Sequence, residues 1–231
     1  MTESHTEPTL TLHHLNDSRS QRILWLLEEL GIPYNIKSYQ RGPDGIAPQE
    51  LAQIHPFGTA PIITDGEITL AESGAIVEYI IDKYGAGKAQ PPESGKLDNL
   101  FYTHYSEGTL MPLLVNKLIF SIAPSKAPFF IRPLLRVVFG ALQTKLIDPR
   151  LAIHSKYIET HLSKGQEWFA GGSEPTSADY MMSFALEAWA NGYPAVLGGK
   201  TKEYVKRVHA RPAYKRALEK GGEYSYAKDN F

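Results

Sequence analysis

The chain has 231 residues and none of them is cysteine. That removes disulfide frameworks, zinc–thiolate sites, iron–sulfur clusters and every cysteine nucleophile at once. Neither sign of charge is in excess, with 24 Lys and Arg against 25 Asp and Glu. A nucleic-acid binder usually shows a basic excess or stripe; none stands out, so nucleic acid is not an expected partner. No apolar run reaches the roughly 18 residues of a simple membrane-crossing helix. Residues 1–8 are polar and read as a flexible leader, without the apolar stretch of a secretory signal. The expected compartment is the cytoplasm.

What remains is globular composition, 42% hydrophobic and 21% charged. A chain of this size buries roughly 70% of the surface its unfolded form exposes, so it needs no metal staple, and none is expected. Residues 9–14 alternate apolar and polar as a strand. Asn16-Asp17-Ser18 offer capping side chains before a helix over 23–30, which Gly31 and Pro33 stop. A second strand covers 34–39, and 48–54 suits a short helix. The Asp65-Gly66 turn between two apolar runs predicts a hairpin over 61–70. A helix over 74–84 follows, with Ser73 placed to cap it. The order β-α-β-α-β-β-α fills residues 9–85. Residues 86–95 have linker composition, and 96–231 read as helical, with helices over 96–121, 134–146, 151–163, 176–190 and 201–220. The segment 123–133, broken by three prolines, reads as a connection. The expected fold is α+β with two domains: a small α/β module, then an all-helical one.

Four local features carry chemistry. In the turn after the first strand, a hydroxyl would sit at a helix N-terminus, where free N–H groups favour an anion such as a thiolate. Plain capping by Asp17 or Ser18 explains the same letters. Ala60-Pro61 enters a strand; with a cis bond, Ala60 would offer its backbone to an extended peptide, whereas an edge proline is the ordinary reading. Glu72-Ser73 opens a helix and would suit the ammonium and carboxylate of an amino-acid head group, or would simply cap the helix. Thr176-Ser177-Ala178-Asp179 is a capping box with Asp in place of Glu, and is read as structural. The stretch 129–142, with Arg132 and Arg136 among apolar residues, could form an amphipathic surface segment touching a membrane or a partner.

Together and in this order, these features resemble the cytosolic glutathione transferases from about Thr9 to Lys220. The resemblance rests on the thioredoxin-like order, His55-Pro56-Phe57-Gly58-Thr59-Ala60-Pro61 and Ala71-Glu72-Ser73-Gly74-Ala75-Ile76. The capping box and Arg207-Val208-His209-Ala210-Arg211-Pro212-Ala213 add to it. Within the family the chain is most similar to the fungal and bacterial GTT-like branch, with its insert Pro128-Phe129-Phe130-Ile131-Arg132-Pro133.

The resemblance implies glutathione as co-substrate and no metal. Glu72 and Ser73 would take the γ-glutamyl head, and Ala60 before a cis Pro61 the cysteinyl part. Gln40, Arg41 and His55 are the candidates for the glycyl carboxylate. The enzyme would stabilise the glutathione thiolate and hold it against a small hydrophobic electrophile. Ser18 is the favoured donor to the sulfur and Asn16 the next, since the family's serine aligns with Asp17, whose carboxylate would repel a thiolate. The electrophile pocket would be lined by Leu15, Tyr105, Leu110, Met111 and Leu114. Without cysteine, mixed-disulfide chemistry with glutathione is excluded, whereas conjugation and hydroperoxide reduction stay open. A homodimer along the third helix and the first helix of the second domain is implied. The competing reading is a non-catalytic member of the fold that carries hydrophobic ligands or serves as an assembly or regulatory module.

Overall fold

A computed structural model describes residues 9–227 of the chain. The leader 1–8 and the end of the tail, 228–231, lie outside the described residues. The first part alternates β1 (Leu10–Leu15), α1 (Ser20–Leu30), β2 (Asn35–Tyr39), α2 (Glu50–Ile54), β3 (Ile62–Asp65), β4 (Ile68–Ala71) and α3 (Ser73–Tyr84). The sheet runs β2-β1-β3-β4; β1 and β2 are parallel and the other pairs antiparallel. This is the thioredoxin-like arrangement expected from the order of elements.

The two-residue period of the strands divides the sheet into two faces. Leu10, Leu12 and Ile63 pack towards α1 and α3, whereas Leu15, Tyr39 and Ile62 meet Leu51 of α2 in a separate cluster. Both faces are covered, as near-continuous apolar strands require.

The helical part comprises α4 (Lys96–Tyr105), α5 (Met111–Lys126), α6 (Arg132–Leu142), α7 (Asp148–Leu162), α8 (Ser177–Gly192), α9 (Gly199–Ala210) and α10 (Pro212–Gly221). Helix α8 is the central rod, buried along most of its length. The continuous helical stretch 93–126 has the length and apolar composition of a membrane span. Its Tyr102, Tyr105, Leu110, Met111 and Leu114 are instead buried in the bundle core.

Prolines redraw the expected boundaries. Helix α5 continues to Lys126 with Pro124 in its last turn, so the connection shrinks to 127–131. Pro133 falls in the first turn of α6, where a missing N–H costs nothing. The expected single helix 201–220 divides at Arg211, whose ψ of 134° is the extended value that a following proline enforces. The two parts meet along α1. Trp25 of α1 meets the rings of Trp168, Tyr180 and Tyr214, and Glu28 of α1 pairs with Arg216 and Lys220 of α10.

Candidate functional site

The strand register gathers four chain segments at one edge of the sheet. Leu15 lies opposite Tyr39 where parallel β1 and β2 end. His13 pairs with Ile62, and Ile62 with Ala71. One step further out, the turn after β1, the Ala60-Pro61 bond and Glu72-Ser73 therefore share that edge. In open sheets with parallel strands, ligands bind beyond the carboxyl ends of those strands.

The Ala60-Pro61 bond is cis. Glu72 precedes α3 with φ 74° and ψ 118°. This left-handed backbone costs a non-glycine residue on the order of 1–3 kcal/mol and is typical of functional sites. Ser73 is the first helical residue and makes no capping bond, so plain capping does not account for it. Glu72 is exposed and Ser73 buried.

Ser18 sits at the start of α1 and is 4% exposed. Its hydroxyl donates to the Leu15 carbonyl at 2.8 Å or to Ser20 Oγ at 2.7 Å, and accepts the Ser20 N–H at 3.2 Å. Ser20 Oγ lies 2.8 Å from Nδ1 of His14. The other ring nitrogen of His14 is left to donate to the Gly221 carbonyl on α10. Burial, against that bond, pushes the His14 pKa down to about 4, so the ring is neutral at neutral pH. With Nδ1 as acceptor, Ser20 spends its proton on His14 and cannot donate to Ser18. Ser18 is thereby the donor of the pair, its proton free to turn from Leu15 or Ser20 to a ligand.

The same buried ring sets a pH dependence. An unfolded chain protonates His14 near the ordinary 6.5, the folded one only near 4. The unfolded state therefore binds more protons between these values, and stability is lost as pH falls through that window. Relative to His14→Gln, the wild type should lose on the order of 3 kcal/mol between pH 6.5 and 4, with a constant gap above 6.5. Urea unfolding at a series of pH values measures this; parallel curves would refute it.

Ser18 opens onto a cavity of about 560 Å³ between the two parts of the chain. Leu15, Asp17, Arg41 and Ala60 line one side, Met111, Leu114 and Leu118 of α5 another, and Phe184 of α8 with Tyr193 and Tyr226 a third. Of the expected pocket residues, Leu15, Met111 and Leu114 are therefore on the wall. Tyr105 and Leu110 are not. The Tyr105 hydroxyl is 2.7 Å from His154, and Leu110 is fully buried in the core. The helix widens to a π turn over Ser106–Leu110, which rotates the start of α5 away from the regular 3.6-residue register.

Asn16 is also engaged elsewhere. Its side-chain carbonyl accepts the Arg41 N–H at 2.8 Å, and it does not line the cavity. Arg41 is on the wall, with its guanidinium donating to the carbonyls of Gly45 and Asp17. Gln40 and His55 are off the wall, and His55 Nδ1 accepts the Phe57 N–H.

Sequence reasoning missed Asp17's actual role. Its φ of 47° is a left-handed turn that Asp tolerates. Its carboxylate accepts the Ser225 N–H at 2.6 Å and the Ser225 hydroxyl at 3.0 Å. This contact holds the tail over the cavity, and Tyr226 beside it packs on Phe184. Arg19, also on the wall, shares Glu107 with the buried Arg22. Against the cost of burial, these two cations hold the Glu107 carboxyl below the usual range.

Fold and site together define a thioredoxin-like module whose strand ends face an apolar cavity walled by a helical domain. Residues 8–82 match the family described as "Glutathione S-transferase, N-terminal domain". The chain is 35% identical over 214 residues to Glutathione S-transferase 3 of Schizosaccharomyces pombe, across 91% of this chain and 87% of that one. It is 30% identical over 229 residues to Glutathione S-transferase 1 of Saccharomyces cerevisiae, across 92% and 95%. A solved glutathione S-transferase from Actinobacillus pleuropneumoniae superposes with TM-score 0.72 at 28% identity, covering 94% of each chain. The chain belongs to the glutathione S-transferase superfamily, on its fungal and bacterial side.

Proposed function

We propose that the protein binds glutathione at the sheet edge and conjugates its sulfur to small hydrophobic electrophiles held in the adjoining cavity. The observation that carries this reading is the make-up of that cavity. A buried hydroxyl and the cis Ala60-Pro61 edge lie on one side, and Met111, Leu114 and Phe184 on the other. Residues 9–85 hold glutathione, and 96–231 supply the electrophile wall. Glu72 takes the γ-glutamyl ammonium, Ser73 its carboxylate, and Ala60 the cysteinyl backbone. Arg41, a cation on the cavity wall, takes the glycyl carboxylate in preference to Gln40 and His55. Ser18 donates to the thiolate; Asn16 is engaged with Arg41 and is not assigned this role. Catalysis then consists of stabilising a sulfur anion and holding two reactants together. The same thiolate would serve for reduction of organic hydroperoxides. Such a protein acts in detoxification and oxidative stress in the cytoplasm. We infer a homodimer through α3 and α4, because Leu97 and Leu100 on α4 and Phe57 before β3 are strongly exposed.

The test is to titrate the purified protein with glutathione and follow thiolate absorbance against pH. Thiolate forming well below the free thiol's range is the expected result. Binding without that shift would favour a ligand carrier, and absence of binding would sink the assignment.

A further inference from the structure

The overall charge balance hides a local imbalance. Between Glu107 and Asp148 the chain has no acidic residue, but carries five basic ones: Lys117, Lys126, Arg132, Arg136 and Lys145. Lys117 pairs with Asp148, whereas Lys126, Arg136 and Lys145 are exposed. Helix α6 lies in the middle of this segment and has no buried residue.

Its inner side holds it to the bundle, with Phe139 against Phe120 of α5 at 5.5 Å. The outer side is apolar too. Leu134, Val137, Val138 and Ala141 are all exposed at helical spacing i, i+3, i+4, i+7. Phe129 and Phe130 project just before the helix, 79% and 70% exposed, and Val137 on it is 71% exposed. An aliphatic stripe thus lies along the outer side of α6, with a protruding phenylalanine pair just before it and the exposed Lys126 and Lys145 at the two ends of the segment.

We propose that this face of α6 and the 127–131 connection docks on an anionic lipid bilayer. The apolar stripe and Phe129-Phe130 enter the headgroup region, and Lys126 and Lys145 meet lipid phosphates and carboxylates. Charge decides against a second copy of the chain as the occupant. A two-fold contact through this face would set the same cations against themselves, with no acid in the segment to neutralise them. The stripe offers hydrocarbon rather than hydrogen-bonding groups, which suits lipid better than an acidic protein. Helix α5, against which α6 packs through Phe120, also lines the cavity through Leu118, so docking brings the cavity near apolar compounds dissolved in the bilayer. That consequence rests on the catalytic reading; the docking itself does not.

The experiment is flotation of the full chain with phosphatidylcholine vesicles, with and without phosphatidylserine. Binding is expected to the anionic vesicles and to fall as salt is raised. Two double variants, Phe130→Asp with Val137→Asp and Lys126→Glu with Lys145→Glu, should each weaken it roughly tenfold or more. Both should keep the wild-type melting temperature and activity on a water-soluble electrophile. No binding by the wild type, or equal binding by the variants, overturns the proposal. So does a self-associated wild type that the Val137→Asp pair dissociates without vesicles, which would make this face a contact between copies. Vesicle binding by a chain without transferase activity would uphold docking and overturn only the catalytic reading.

Discussion

Replacing Ser18 by alanine is expected to cut turnover with a hydrophobic electrophile roughly tenfold to a hundredfold, leaving glutathione affinity almost unchanged. Ser18 is the hydroxyl at this turn that both faces the cavity and has a proton to give, because Ser20 commits its own to the neutral His14. Each ~1.4 kcal/mol lost from the thiolate is tenfold in rate and also raises the bound thiol's pKa by about one unit. The pH profile should therefore move upward in step with the fall in rate, which a merely structural loss would not produce. Deleting the hydroxyl also frees the Ser20 N–H, a cost of about 1 kcal/mol that leaves the chain folded. Glu72→Ala provides the contrast: affinity should fall, because the head-group contact goes while the sulfur's partner stays. Unchanged turnover in Ser18→Ala would remove this serine from the reaction.

How far this site could be read from the sequence depended on how local each signal was. Period-two alternation and the Asp65-Gly66 turn are properties of neighbours, and they placed the four strands to within a residue or two. Glu72 and Ala60 came from short motifs whose positions the sheet register then brought to one edge. The pocket was harder. Helix α8 is apolar on nearly every side, so no periodicity separates cavity-facing Phe184 from core residues such as Leu186. Tyr105 and Leu110, which the resemblance implied as pocket lining, sit at the two ends of the π turn at Ser106–Leu110, an irregularity that no local sequence pattern marks. The Asp17–Ser225 contact joins residues 208 apart, a separation at which neither residue carries a local mark. Asp17 therefore looked like an obstacle to a thiolate until its carboxylate had a partner.

The largest effect on stability is expected at a residue that touches no ligand. Asp179 is fully buried, and each of its oxygens serves two donors. One takes the Phe169 N–H at 3.0 Å and the Tyr204 hydroxyl at 3.0 Å. The other takes the Thr176 N–H at 2.9 Å and the Thr176 hydroxyl at 3.1 Å. The capping box thus does more than open α8: it ties that helix to the 168–170 segment and to α9. Burial, outweighing these donors, pushes the carboxyl up to about 6, so at neutral pH it is ionised and its bonds are charge-assisted. In Asp179→Ala four donors lose their acceptor in the core, at roughly 1–3 kcal/mol for each left unpaired. A loss of at least about 4 kcal/mol is expected, lowering Tm by roughly 8–16 °C for a chain of this size. Asp179→Asn should cost less, because one oxygen is kept, although its NH₂ then faces two donors. The pH dependence at this site has the opposite sign to that of His14. The folded carboxyl holds its proton up to about 6 and the unfolded one only to the ordinary 3.8, so this contribution is fully present below 3.8 and is lost as pH rises through 6. The wild type's advantage over Asp179→Asn should therefore shrink between pH 4 and 6 and stay level above. Calorimetry of the three proteins across that range decides the matter. A loss of 1 kcal/mol or less in Asp179→Ala would mean that α8 is held by its apolar packing alone.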